Sequence, residues 1–352
     1  NLYGDLSWRV METLRMLLGK QNVEVYSVDE AFVDLSIIPP EELQAVAKEI
    51  RETVEQWTGI KVSVGVAPTK VLAKLANRLS KKDKKKTGCV MVLDTDDRII
   101  EALRKTPVSD IWGVGRQYAE KLKEQWSIYD ALQLSRMSEE FGKTHLGGVT
   151  GIRLIKELRG EPARDMEEEL VTKKMIATTR MFGSPVADIA SIKEAVATYT
   201  SRAAEKLRRQ HCAAKTISVF VVAKGENHNV DFRGATHGDS VTLPAATSFT
   251  NELIKPAVAI VDKLFTKGTQ YKKAGVMLSG IVPDNSMQAN LFVPETKNCE
   301  RKLMDMIDNV NFSQRDDVLK FAASGTKRNW KMRQELRSPR YTTRWNELFE
   351  VR

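Results

Sequence analysis

The 352-residue sequence has no apolar run approaching the roughly 20 residues of a membrane span, so no membrane partner is expected. It is also short of cysteine. Cys89, Cys212 and Cys299 are far apart and odd in number, which excludes a disulfide framework and a cysteine zinc site. They read as scattered reduced thiols of a cytosolic protein. The four histidines (His145, His211, His228 and His237) form neither an HExxH pair nor a triad-like grouping. What the chain has in excess is positive charge. Lys and Arg number 55 against 46 Asp and Glu, a net +9. That balance points to an anionic partner, nucleic acid first, although a membrane surface or mere solubility gives the same sum.

Against this background two adjacent acids stand out. Asp29 and Glu30 interrupt the stretch Val25-Tyr26-Ser27-Val28-Asp29-Glu30-Ala31-Phe32-Val33. An apolar run bounded by turn signals reads as a buried strand or hairpin. Ionised carboxylates there are costly unless something positive neutralises them. A divalent metal suits that role, because Mg²⁺ takes hard oxygen ligands, commonly one or two carboxylates plus substrate phosphates. Taken alone, the pair also fits a tight turn with two solvated acids.

Residues 5–18 place Leu6, Val10, Leu14 and Leu17 on one helical face, and residues 23–36 read as a strand, the acid-bearing turn and a returning strand. Pro39-Pro40 break the chain before an amphipathic helix at 41–57. Ile60, Val62, Val64 and Val66 alternate as a strand; a basic helix at 69–80 and a short strand at 89–93 follow. One strand in front would complete β-α-β-β-α-β, a ferredoxin-like unit. Without it, the sheet would hold unpaired backbone groups. The sequence, which opens at Asn1 in a helical pattern, is therefore expected to lack its first strand.

Residues 95–160 read as short helices and 161–173 as a charged linker. Residues 174–282 repeat the order β-α-β-β-α-β, and 283–352 read as a mixed tail. The expected class is α+β.

Three further segments carry chemistry. Thr69 is a good N-cap, and Lys70, Lys74, Arg78 and Lys81 follow it at helical spacing on one face. Such a face can hold phosphates, or simply be solvated. Next, Trp112-Gly113-Val114-Gly115 precedes a helix that starts near Arg116 and carries Lys121. Two glycines allow a hairpin that exposes N–H groups at a helix N-terminus, as in a helix-hairpin-helix gripping a DNA backbone. Last, Gln288-Ala289-Asn290-Leu291-Phe292 lies between Asp284-Asn285-Ser286 and Pro294. An apolar pair on an extended peptide suits docking into a partner's pocket, or folding back on the chain itself.

The Tyr26–Phe32 stretch, the Gly65–Gly88 segment and the Gly113-Val114-Gly115 hairpin resemble, in order and spacing, the Y-family DNA polymerases. Glu205-Lys206-Leu207-Arg208, the Tyr271–Leu278 stretch and the Ser338–Arg344 stretch narrow the resemblance to the UmuC subfamily, catalytic subunits of bacterial DNA polymerase V. The resemblance spans essentially the whole chain. It implies a palm at 1–94, a helical thumb at 95–160, a little finger at 174–282 and a C-terminal tail at 283–352.

By the same resemblance Asp29 and Glu30 are catalytic metal ligands for two Mg²⁺ ions. Lys81 contacts the incoming deoxynucleoside triphosphate, and Lys70, Lys74, Arg78, Gly113, Gly115, Arg116 and Lys121 face primed or damaged DNA. Gln288, Leu291 and Phe292 bind a sliding clamp, and the tail meets a UmuD′-like subunit and RecA. The implied function is error-prone translesion synthesis in the bacterial SOS response, in the cytoplasm at the nucleoid. The family's first palm strand, with its own metal-binding aspartate, its steric gate and its fingers, has no counterpart after Asn1, so the chain is expected to be N-terminally truncated. The competing readings are a non-catalytic DNA- and clamp-binding accessory protein and another palm-type enzyme such as a nucleotide cyclase. Retention of both acids argues against the first; the glycine hairpin and the second β-α-β-β-α-β order argue against the second.

Overall fold

The computed structural model describes residues 2–167, 173–225, 234–284, 298–314 and 317–351. The chain divides into two compact units, 1–169 with 338–352, and 170–337.

The first unit opens with α1 (Leu2–Leu18), followed by strands β1 (Val23–Val25) and β2 (Ala31–Val33) and helix α2 (Leu43–Thr58). Met11 and Leu14 of α1 meet Ile50 and Val54 of α2 in a small core, with Val23, Val25, Val33 and Val64 against it. β3 (Val64–Val66) and β4 (Val90–Val92) pair in parallel, joined by α3 (Lys70–Lys82) and the one-turn α4 (Lys84–Thr87). β1 and β2 pair antiparallel, with Glu24 opposite Phe32. Among the described residues these are two separate two-stranded pairs.

Gly65 has no room for a side chain. A Cβ there would lie 2.2 Å from Asn77 N and 2.4 Å from Ala73 O, so the absence of a side chain lets β3 rest on the backbone of α3.

Five short helices follow: α5 (Asp96–Arg104), α6 (Arg116–Trp126), α7 (Ala131–Ser135), α8 (Glu139–His145) and α9 (Val149–Leu158). Their core is shared with α3. Val71, Leu72 and Leu75 pack with Leu103, Leu122, Leu134 and Leu158. The basic helix, assigned from the sequence to the palm segment, therefore buries its apolar face in the helical cluster. Its amphipathic pattern, apolar at 71, 72, 75 and 76 and basic at 70, 74 and 78, allows both roles.

The second unit has the expected order: β5 (Ile176–Val186), α10 (Ile189–Arg208), β6 (Cys212–Ala223), β7 (Thr236–Thr247), α11 (Thr250–Leu264) and β8 (Tyr271–Pro283). The strands form one antiparallel sheet in the order β5-β8-β6-β7. Alternate residues Ile217, Val219 and Val221 of β6, with Val276 and Leu278 of β8, face Ile192 and Val196 of α10 and Leu253 and Ile260 of α11.

Residues 283–352 do not behave as one tail. Helix α12 (Asn298–Gln314) and the chain up to 337 belong to the second unit, whereas 338–352 belong to the first. Arg208 explains the first attachment. Its guanidinium makes a bidentate pair with Asp308 of α12 at 2.7 and 2.8 Å and also donates to Ser248 O and Thr250 Oγ1. Trp330 enters the same core, edge-on to Tyr199 at 5.7 Å. No described helix is long and apolar enough to cross a membrane.

Candidate active site

The β1–β2 connection closes tightly. The N–H groups of Tyr26 and Ser27 both donate to Glu30 O, at 3.1 and 3.0 Å. This puts Asp29 at the tip and Glu30 at its return. Ser27 Oγ donates to Asp29 Oδ1 at 2.6 Å, and Asp29 N donates back to Ser27 Oγ at 3.3 Å. Asp29 is exposed, so its charge needs no partner to offset burial. Burial therefore demands no counter-charge at Asp29, contrary to the expectation from sequence, and only a partial one at Glu30. Glu30 is half-buried, and Lys74 donates to its Oε1 at 2.6 Å.

A third carboxylate, Glu24, escaped sequence reasoning. It is buried on β1, where Lys70 donates to its Oε2 at 2.5 Å and Glu167 N donates at 2.9 Å. Lys70 also donates to Asp165 O at 2.6 Å. The available signal was alternation: Glu24 points away from Val23 and Val25, its neighbours in β1, which pack on the small core.

Helix α3 starts where the sequence places it. Thr69 Oγ1 accepts from Leu72 N and donates to Glu157 O at 2.8 Å. The carboxylate of Glu157, on α9, accepts from Val71 N at 3.0 Å, so a remote helix completes the cap. Glu157 is fully buried. Burial raises its pKa, against the opposing pull of the Val71 N–H and of the Arg164 and Lys70 charges.

The basic face is largely compensated. Lys70 meets Glu24, Lys74 meets Glu30, and Arg78 and Lys82 meet Asp110 at 2.6 and 3.3 Å. Burial acts to raise the Asp110 carboxyl, but the bonds from Arg78 and Lys82 outweigh it and leave its pKa below the ordinary value. Lys81 is exposed and has no ion-pair partner among the described residues.

Trp112 stands directly before the glycine turn. Gly113 has φ +99°, the left-handed region that favours glycine. Val114 is buried and anchors the turn, and Gly115 caps α6 without a side chain. Gly115 therefore gives the first turn of α6 no side-chain cap bond. The segment before the turn is a single 3₁₀ turn, Val108–Asp110, so the hairpin has one full helix, not two. Arg116 donates to Glu120 at 2.8 Å, and Lys121 is exposed on the same helix.

Glu24, Tyr26, Lys70, Trp112, Arg153 and Arg164 line a cleft of about 400 Å³. The structure thus brings Glu30, Lys70, Lys74 and the start of the glycine turn around one aromatic cluster. Among the described residues Lys81 and Lys121 make no direct bond to the acid pair, whose side-chain partners are Ser27 and Lys74. Gln288, Leu291 and Phe292 lie outside the described residues.

The chain is 39% identical to protein UmuC of Salmonella typhimurium over 353 aligned positions, covering all of this chain and 82% of that protein. The chain belongs to the impB/mucB/samB family, within the Y-family DNA polymerases. Residues 1–78 match the impB/mucB/samB family, 173–291 the impB/mucB/samB family C-terminal domain, and 301–351 a domain of unknown function, DUF4113. A second relative in the impB/mucB/samB family, SamB of Salmonella typhimurium, is 35% identical over 99% of this chain and 81% of its own length. The fold is similar to that of a solved Y-family DNA polymerase chimera, Dbh-Dpo4(243-245)-Dbh, with a TM-score of 0.64, 20% identity and coverage of 80% and 76% of the two chains. By family the chain is a DNA-directed DNA polymerase of error-prone translesion synthesis in the SOS response.

Proposed function

We propose that the β1–β2 hairpin carries the catalytic carboxylates of this impB/mucB/samB polymerase, with Asp29 and Glu30 as ligands of divalent metal. The supporting observation is an exposed Asp29 beside a Glu30 held by a lysine of the basic helix. Y-family membership implies dependence on divalent metal. Among the described residues no group of three or more His, Cys, Asp or Glu could hold an ion. Two hard carboxylates still suit Mg²⁺, which completes its shell with substrate phosphates and water. Bound there, a metal pair would stabilise the attacking and leaving oxygens of phosphoryl displacement.

The chain's own side chains have separable tasks. Lys74 orients Glu30. Lys81, free of acidic partners in the described structure, offsets the charge of the deoxynucleoside triphosphate. The Gly113–Gly115 turn offers N–H groups to a DNA phosphate, with Arg116 and Lys121 nearby on α6. Lys70, Lys74 and Arg78 are each paired with an acid, which makes them positioning groups as much as phosphate ligands.

Primer extension on a primed template, with Mg²⁺ supplied, tests this. Asp29→Ala should abolish extension and leave DNA affinity by fluorescence anisotropy within about threefold, because Asp29 makes no packing contact that the fold needs. Normal extension by that variant would refute the assignment. The accessory-protein reading has no specific support, since both acids are present in a family of polymerases.

Within this reading the Gln288–Phe292 peptide binds a sliding clamp, and the C-terminal segment meets a UmuD′-like subunit and RecA, in the bacterial cytoplasm at the nucleoid. Changing Leu291 and Phe292 together to Ala should remove clamp capture in a pull-down; undiminished capture would exclude the peptide as the contact.

A further inference from the structure

We infer that Trp112 is a positioning residue that ties the β1–β2 hairpin to the Gly113-Val114-Gly115 turn. The inference rests on the reading of that hairpin as catalytic and of the turn as a DNA contact. The indole Nε1 of Trp112 donates to Tyr26 Oη at 3.2 Å, across 86 residues of sequence. The indole meets the Tyr26 ring edge-on, centroids 5.5 Å apart and planes at 88°, and lies 5.7 Å from Phe32. Tyr26 and Phe32 pack edge-on at 5.6 Å. Three cations close the cluster, Lys70 among them at 5.2 Å from the Phe32 centroid. Lys74 Nζ lies 5.5 Å from the Trp112 centroid and 5.0 Å from that of Tyr26, and Arg164 lies 4.6 Å from Trp112.

Both ends of this link lead to chemistry. Tyr26 opens the turn that carries Asp29, and its N–H is bonded to Glu30 O. Lys74 touches the cluster and the Glu30 carboxylate together. Trp112 is joined covalently to Gly113, where the backbone turns toward α6. The cluster is not ordinary core: Tyr26 is 45% exposed and Trp112 half-buried. Edge-on rings, one indole hydrogen bond and the cation–π contacts fix angles as well as separations, which apolar filling does not. A DNA backbone seated on the turn would therefore be held at a set distance from the carboxylates. A misplacement of about 1 Å in such an arrangement can cost on the order of 100-fold in rate.

The test compares Trp112→Ala, Trp112→Phe, Tyr26→Phe and the double Trp112→Phe/Tyr26→Phe variant. In primer extension, Trp112→Ala should lower kcat roughly 10- to 100-fold, with KM for primed template changed by less than about threefold. Trp112→Phe keeps the ring contacts and should recover most of that loss. The double variant should lose no more than the worse single one, since both changes break the same hydrogen bond.

Hydrogen exchange of the 23–33 segment gives a readout independent of turnover. Primed DNA should slow exchange there in the unmodified chain and in Trp112→Phe, and not in Trp112→Ala. Unchanged kcat with a raised KM, or DNA-linked protection that survives in Trp112→Ala, overturns the inference. If Trp112→Ala fails to fold, additive losses in the Trp112→Phe and Tyr26→Phe pair overturn it equally. An unmodified chain that does not bind primed DNA removes the DNA-contact reading and the inference with it; one that binds without extending leaves the exchange result to decide.

Discussion

Lys74 Nζ sits 2.6 Å from Glu30 Oε1, although 44 residues separate them in the chain. Half-buried Glu30 needs positive charge, and the first to reach it is the protein's own. The contact exists because α3 buries its opposite face among the short helices, which turns Lys74 toward the hairpin. A ligand that takes Glu30 must compete with this ammonium.

The Glu24–Lys70 pair is the more deeply buried of the two contacts, with side chains 9% and 11% exposed. Removing one partner leaves a buried charge without compensation. Lys70→Met should therefore destabilise the first unit by about 3 kcal/mol. Adding Glu24→Leu to it should recover a large part of the loss, because the orphaned carboxylate is then gone. Urea unfolding of both variants measures this, and equal stability of the single variant and the parent would contradict it.

Gly65→Ala probes the seat of β3 on α3. The added methyl would meet backbone atoms at 2.2 and 2.4 Å, and neither atom can move without displacing the helix. The expected cost is about 2 kcal/mol or more, by the overpacking mechanism. A melting temperature unchanged by the substitution would show that the contact is looser than described.

Glu157 makes stability depend on pH in a direction opposite to the usual surface carboxylate. Its pKa in the folded chain is raised above 4.5, mainly by burial. Between the unfolded and folded values the folded chain binds more protons than the unfolded one. Stability from this group is therefore present below pH 4.5 and is lost as pH rises through the raised folded value. Glu157→Gln cannot ionise and keeps an oxygen for Val71 N. Relative to the parent, it should be more stable at about pH 7 than at about pH 4, as read from urea midpoints. A difference that is flat with pH would mean the carboxyl does not titrate in this way.

Much of the second unit was legible in the sequence. Alternation through 215–223 and 272–281, with amphipathic repeats between, gave six elements that the structure places within a few residues. The first unit was harder. The alternation from Ile60 to Val66 overstated β3, which has three residues, because a periodic pattern does not report where hydrogen-bond partners end. The C-terminal segment carried no signal for its division at 337/338, since Asp308 and Trp330 are unremarkable until Arg208 and Tyr199 lie beside them.

For the candidate site, Asp29, Glu30, the register of the α3 lysines and the glycine turn were readable because each is a local pattern: adjacent acids, bases at helical spacing, glycine where φ turns positive. Those features, with similarity to UmuC along the whole of this chain and 82% of that protein, mark the polymerase family. Tertiary structure alone decided which charges cancel. Glu24 takes Lys70, Asp110 takes Arg78 and Lys82, Glu157 caps α3 from another helix, and Trp112 meets Tyr26. These partners stand far apart in sequence. They meet through the burial of α3 against the helical core, a nonlocal event that local periodicity does not encode.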